Sequence, residues 1–77
     1  MISINTPKTE VVIDNLNEKE IDGVKFELVR IQGMSVIMRT SNDSQAKEIV
    51  KKVITPLPEM KYKMLTISIL DDNGRLI

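Results

Sequence analysis

The side chains of this sequence that could do chemistry are mainly carboxylates, because its 77 residues include neither histidine nor cysteine. Those two residue types have pKa values near neutral, which general acid–base and nucleophilic catalysis usually require. The remaining candidate acids lie in polar segments and are Glu18, Glu20, Asp22, Asp71 and Asp72. Carboxylates in such segments are ordinarily solvated. We therefore expect no catalytic residues and no enzymatic activity.

Metal and cofactor sites also lack their usual sequence signals. Thiolate and imidazole ligands are excluded by the composition. Gly23, Gly33 and Gly74 are isolated, so there is neither a phosphate-binding Walker loop nor a dinucleotide-binding glycine fingerprint. The run from Asp71 to Gly74 resembles the middle of a calcium loop, but the first ligand position would fall on Ile69. The sequence predicts no metal and no cofactor.

A loose group of basic residues is the main pointer to nucleic acid. Its members are Arg30, Arg39, Lys47, Lys51, Lys52, Lys61 and Lys63, with Tyr62 between the last two, and the five lysines are the candidate nucleic-acid contacts. Such a group could follow a phosphate backbone. However, eleven basic and eleven acidic residues cancel, and Phe26 and Tyr62 are the only aromatic residues available for base stacking. Nucleic-acid binding is therefore the alternative hypothesis, and a solvated helix face explains most of the lysines equally well.

One segment has the periodicity of an amphipathic helix, from about Ser44 to Ile54. Its apolar residues Ala46, Ile49, Val50, Val53 and Ile54 recur at the spacing that forms a single stripe. Asn42 followed by Gln45 resembles a capping box, and Thr55-Pro56 is expected to end the helix because proline disfavours helical backbone before it. The stripe is wide enough to cover one face of a sheet.

The rest of the chain is rich in Ile and Val, which favour strands. Predicted strands cover 10–14, 24–32, 34–40 and 62–70, with a short piece at 19–21 and an edge strand at 1–5. Turns are expected at Asp22-Gly23, at Gln32-Gly33 and at 71–74, after which 75–77 fold back briefly. We predict one α+β domain over residues 1–77, a mostly antiparallel β-meander of four to five strands with one helix on one face, in the order β-β-β-α-β.

The predicted strand from Val24 to Gln32 contains an irregularity in its apolar phase. Val24, Phe26 and Leu28 alternate in one phase, whereas Val29 and Ile31 take the opposite one. A β-bulge produces this pattern, and so does burial on both faces of the sheet. With one helix available, the second possibility leaves an apolar surface for another chain to cover. That candidate protein interface consists of Val29, Ile31, Ile37, Tyr62, Met64 and Leu70.

The small size of the chain also favours a partner. A core built from fewer than about 80 residues rarely provides more than about 3–5 kcal/mol, and disulfides cannot form without cysteine.

We expect a cytoplasmic protein without a membrane-spanning segment. The preferred function is a non-enzymatic protein-binding module, acting as a homo-oligomer or as a modulator or inhibitor of a larger protein. From its compact, Ile- and Lys-rich composition, and from no motif, we expect an accessory protein of a phage or another mobile element.

Overall fold

The computed structural model describes residues 1–76, which form one five-stranded antiparallel sheet and two helices. The elements in chain order are β1 (Ile2–Asn5), α1 (Thr9–Leu16), β2 (Glu20–Ile21), β3 (Val24–Gln32), β4 (Ser35–Thr40), α2 (Asp43–Ile54), a 3₁₀ turn (Pro58–Met60) and β5 (Thr66–Ile69). The strand order across the sheet is β2-β3-β4-β1-β5. The predicted α+β class with an antiparallel sheet is confirmed.

The connectivity differs from the predicted meander in its first half. Residues 10–14 were expected to form a strand, but they lie within α1, so the sheet has two helices on one face. β1 was expected at an edge and instead lies between β4 and β5. Apart from the short β2, the chain follows the order β-α-β-β-α-β and forms two interlocked split βαβ units. In each unit the helix connects two strands that have a third strand between them.

Helix α1 forms because its apolar residues bury a helical face, even though their β-branched side chains favour strands. Val12 and Leu16 are one turn apart and fully buried, and Val11 lies beside them in the core. The Asn15 side-chain amide donates to the Val11 carbonyl at 2.7 Å. No side chain caps the N-terminus of α1, so the usual sequence signal for a helix start is missing.

Helix α2 confirms the predicted amphipathic helix. The Asn42 side chain accepts a hydrogen bond from the Gln45 N–H at 3.0 Å and caps the N-terminus. Ala46, Ile49 and Val50 face the sheet and are buried. At the other end, Thr55 keeps helical backbone angles, so the expected effect of Pro56 on the preceding residue is wrong here. The helix stops because Pro56 has no N–H to continue it.

The irregularity in β3 is a β-bulge at Val29. Leu28 lies opposite Met38, whereas Arg30 lies opposite Ile37, so Val29 is an extra residue with no partner on β4. The bulge reverses the phase of the strand beyond it. Ile31 therefore lies opposite Val36 on the face covered by the helices, and Arg30 lies on the other face.

The two faces of the sheet are buried to very different extents. The main core lies between the sheet and both helices, and includes Ile2, Ile4, Phe26 and Met38. On the opposite face, which we call the open face, Met1, Ile37 and Leu70 form a separate small cluster with Val29 packed against it. A β-bulge and burial on both faces are the two alternative explanations that the sequence offers for the phase change in β3, and the structure contains both.

The last strand and its turn agree with the pattern, although β5 is shorter than the predicted 62–70. The Gly74 N–H donates to the Asp71 carbonyl at 3.0 Å, and Leu76 forms an antiparallel bridge with Leu70. The chain thus folds back after β5 as expected. The last residue of the predicted 75–77 segment, Ile77, lies outside the described residues.

Candidate functional site

The six residues of the predicted interface divide into buried and exposed groups. Ile37 and Leu70 are buried within the chain, and Val29 is half-buried against them. Ile31, Tyr62 and Met64 are exposed, and Tyr62 is 93% exposed. A contact with another molecule can therefore use the second group directly, whereas the first group already packs against its own chain.

The exposed apolar residues come from segments that lie at the same end of the sheet. Asn5 lies between Ser35 and Thr66, so the β3–β4 turn and the segment leading into β5 flank the end of β1. The Thr6 N–H donates to the Met34 carbonyl at 2.9 Å and extends this row by one position. With two strand spacings between them, Met34 and Leu65 lie roughly 10 Å apart. We call the exposed residues Ile31, Met34, Tyr62 and Met64 the hairpin end.

Met34 was not among the predicted interface residues. It is the second residue of a two-residue hairpin turn that begins with Gly33, whose φ of +59° suits the first position of a type II′ turn. Met34 is 53% exposed and is not part of the main core. This turn position is the sequence signal that could have identified Met34.

Tyr62 is presented by a tight turn in the connection between α2 and β5. All four residues from Lys61 to Met64 are exposed, and we call this segment the Tyr62 turn. Tyr62 has a φ of +63°, a left-handed conformation that bulky side chains rarely adopt. The Lys61 ammonium lies 5.3 Å from the centre of the Tyr62 ring, within cation–π distance.

The five candidate nucleic-acid contacts do not share one face of the molecule. Lys47 and Lys51 are one turn apart on α2, and Lys47 is half-buried. Lys52 lies on a different side of the helix, where its ammonium is 3.6 Å from the Asp22 carboxylate. Lys61 and Lys63 belong to the Tyr62 turn. The arrangement therefore provides local pairs of positive charge and no continuous basic stripe.

The candidate acids are held apart by the strand order. Glu20 is on β2 at one edge of the sheet, whereas Asp71 and Asp72 follow β5 at the other edge. One Asp71 carboxylate oxygen accepts hydrogen bonds from the N–H groups of Asn73 and Arg75, both at 2.9 Å, so this side chain stabilises its own turn. Among residues 1–76, no three acidic residues are grouped as a metal site would require.

An open groove of about 820 Å³ lies beside β2, between the 17–20 segment and the ends of β3 and β4. Its acidic residues are Glu18, Glu20 and Glu27, and its basic residues are Lys19, Lys25 and Arg39. Glu20 is directly opposite Lys25, and Glu27 is directly opposite Arg39. Opposite charges in these positions offset each other. The groove therefore has no net charge with which to select an ionic ligand.

Asp43 is the carboxylate with the most distinctive surroundings. One oxygen accepts from the Met1 ammonium at 2.9 Å, and the other accepts from the Thr40 hydroxyl. Partial burial raises the pKa of Asp43, but these two hydrogen bonds and the positive charge of the ammonium outweigh burial and lower it below its ordinary value. The arrangement ties β1 to the first turn of α2, which is a structural role.

Comparison with known proteins found no matching family model, no similar curated protein and no similar solved structure. Neither helix within residues 1–76 combines the length and the apolar character needed to cross a membrane.

Proposed function

We propose that this chain is a non-enzymatic protein-binding module that modulates or inhibits a larger protein through the hairpin end. One observation carries the proposal, namely the distribution of exposed large apolar side chains. Of the five within residues 1–76, Ile31, Met34, Tyr62 and Met64 belong to the hairpin end, and Leu76 is the exception. A concentration of this kind at one end of a small domain is typical of a contact surface.

The residue types at the hairpin end suit a protein partner. Tyrosine and methionine are enriched where proteins contact each other, and tyrosine is frequent among the residues that dominate binding energy. The two methionines add flexible side chains that adapt to irregular surfaces. A fully exposed tyrosine can bury roughly 150–250 Å² against a partner, so Tyr62 would be the largest single contact.

Quantitative capture from cognate lysate tests the proposal. The bait is the wild-type chain, and the test variant combines Ile31→Ser, Met34→Ser and Tyr62→Ser. Leu76→Ser is the matched control, because it removes an exposed apolar side chain next to Leu70, at the opposite end of β5. We expect a protein to be retained by the wild type and the control but not by the test variant. Identical sets of proteins on all three baits would refute the proposal.

Self-association of this chain has to be distinguished from binding to a different protein. Light scattering on the wild-type chain at several concentrations reports whether the mass exceeds that of one 8.7 kDa chain. If it does, and the triple variant returns the mass to that of a monomer, the partner at the hairpin end is a second copy. A wild-type monomer leaves a larger protein as the expected partner.

Nucleic-acid binding remains the second candidate because Lys61 and Lys63 flank an exposed aromatic ring. A single-stranded oligonucleotide could stack one base on Tyr62 while its phosphates contact the two ammonium groups. The remaining lysines are dispersed, which weakens this hypothesis. Fluorescence anisotropy with labelled (dT)20 at low salt tests it, and unchanged anisotropy across the protein titration would eliminate it.

A further inference from the structure

The Tyr62 turn has a residue that its own backbone does not favour. Left-handed backbone is adopted readily by glycine and asparagine, and seldom by an aromatic residue. The Tyr62 side chain is 93% exposed, so it adds almost nothing to the core. Strained residues that folding does not explain occur mainly where a protein binds something. The contribution of this ring therefore lies outside the folded chain.

The turn is held firmly on both sides. Met60 before it is buried in the main core, and Leu65 after it is packed against the same core. The Lys61 N–H donates to the Pro58 carbonyl at 3.2 Å, and the Lys63 N–H donates to the Met60 carbonyl at 2.9 Å. A side chain presented on such a turn needs little further ordering when it binds, which favours affinity.

The charges of the turn indicate what it binds. Within residues 1–76 the two ion pairs are Met1 with Asp43 and Lys52 with Asp22, so neither Lys61 nor Lys63 has a carboxylate partner there. A partner with carboxylates would complement both ammonium groups. A second copy docked turn to turn would instead place lysines against lysines.

We propose that the Tyr62 turn binds an acidic protein segment in which carboxylates flank a large apolar side chain. The apolar side chain would pack on Tyr62 and Met64, and the carboxylates would pair with Lys61 and Lys63. This inference rests on the proposed protein-binding function and adds the chemistry of the partner. Lys61 also holds the tyrosine ring through its cation–π contact, so the ring and its neighbouring charge form one recognition unit.

Selection from a displayed library of random 12-residue peptides tests the inference. Peptides are selected on the wild-type chain and counted again on Tyr62→Ala, with Leu76→Ala as the matched control. We expect the peptides lost on Tyr62→Ala but kept on Leu76→Ala to be acidic and to contain at least one large apolar residue. Selected peptides that are not acidic, or that bind Tyr62→Ala equally well, overturn the inference and leave protein binding at another surface intact. A selection with no enriched peptide overturns it as well, and the lysate capture then decides the proposed function separately.

Affinity measurements on one selected peptide separate the ring from the charges. Tyr62→Ala is expected to weaken binding at least tenfold, whereas Tyr62→Phe keeps the ring and should stay within threefold of the wild type. The double variant Lys61→Ser/Lys63→Ser should weaken binding at low salt and remove most of its salt dependence. If Tyr62→Phe and Tyr62→Ala lose the same amount of peptide affinity, the ring is not what the peptide contacts. If the double variant keeps the salt dependence of the wild type, the two lysines do not pair with the peptide. Either result contradicts the proposed recognition unit. Competition by (dT)20 at equal potency assigns the turn to nucleic acid and overturns the proposal.

Discussion

Ile31 and Ile37 provide a sharp test of how this sheet buries its residues. Both isoleucines belong to the interface that the sequence predicts, and they lie on neighbouring strands close to the bulge. In the folded chain, Ile37 is 3% exposed and packs against Met1 and Leu70, whereas Ile31 is 48% exposed. Replacing each of them by alanine therefore compares the same chemical change at a buried position and at a half-exposed one.

The expected magnitudes follow from the exposed fractions. Isoleucine to alanine removes three carbon atoms, worth about 2.4 kcal/mol at about 0.8 kcal/mol for each buried methylene. Ile37→Ala should lose nearly all of this and leave a small cavity, for a total of about 2.5–4 kcal/mol. Ile31→Ala should lose about half, or roughly 1.2 kcal/mol, with no enclosed cavity. Because a core of this size rarely provides more than about 3–5 kcal/mol, Ile37→Ala removes at least half of the free energy of unfolding.

Urea denaturation followed by far-ultraviolet circular dichroism measures both changes. Intrinsic fluorescence is unsuitable because the chain has no tryptophan and its single tyrosine is exposed. Ile31→Val and Ile37→Val serve as controls, since they retain β-branching and remove one carbon. Equal destabilisation by the two alanine variants would refute the reasoning, because it would mean that Ile31 is covered in solution. If that equality appears only at high protein concentration, a second copy covers Ile31.

Three further predictions concern single residues. The pKa of Asp43 is lower in the folded chain than its unfolded value near 3.8, so its stabilisation is present above that value and is lost as the pH falls through the folded-state pKa. Asp43→Asn should therefore cost about 1–2 kcal/mol near neutral pH and little at strongly acidic pH, as measured by urea denaturation at both. Deleting Val29 should preserve the pairing of Arg30 with Ile37, so two-dimensional NMR should detect an intact sheet, whereas deleting Ile37 should abolish folding. Tyr62→Asn should leave the thermal midpoint unchanged or raise it, because asparagine tolerates left-handed backbone; a fall of several degrees would assign Tyr62 a structural role.

The elements predicted correctly are those in which local signals and tertiary packing agree. Helix α2 has a capping residue and an apolar stripe, and the β3–β4 hairpin has a glycine at the turn. Helix α1 lacks the cap, and its Val11-Val12-Ile13 run favours a strand by propensity. Burial of Val12 and Leu16 under the sheet overrides that preference. Local sequence cannot supply this information, because the core that buries α1 is built by strands distant in the chain.

The candidate interface also shows that a local sequence pattern does not reveal tertiary packing. The phase change in β3 correctly predicts an irregularity, but the phase of one strand does not say which apolar residues the fold will cover. Ile37 is covered because Met1, just before β1, and Leu70, just after β5, pack with it, and no local pattern connects those three residues. Ile31 stays half-exposed because β2 pairs only with the start of β3, which leaves Ile31 at the edge of the sheet, whereas its partner Val36 on β4 is fully buried. Periodicity predicts the face on which a side chain lies, and only the topology decides whether that face is covered at its position.

The hairpin end is therefore a consequence of the strand order. With β1 between β4 and β5, the turn carrying Met34 and the turn carrying Tyr62 are placed at one end of the sheet, although 28 residues separate them. The predicted meander has β1 as an edge strand, so it does not place β1 between these two turns. This exposed surface adds little to the stability of the fold, since Met34 and Tyr62 are 53% and 93% exposed and only about half of Ile31 is buried. The stability of the hairpin-end variants therefore reports mainly on Ile31, and the proposed function is tested by measuring what those variants bind.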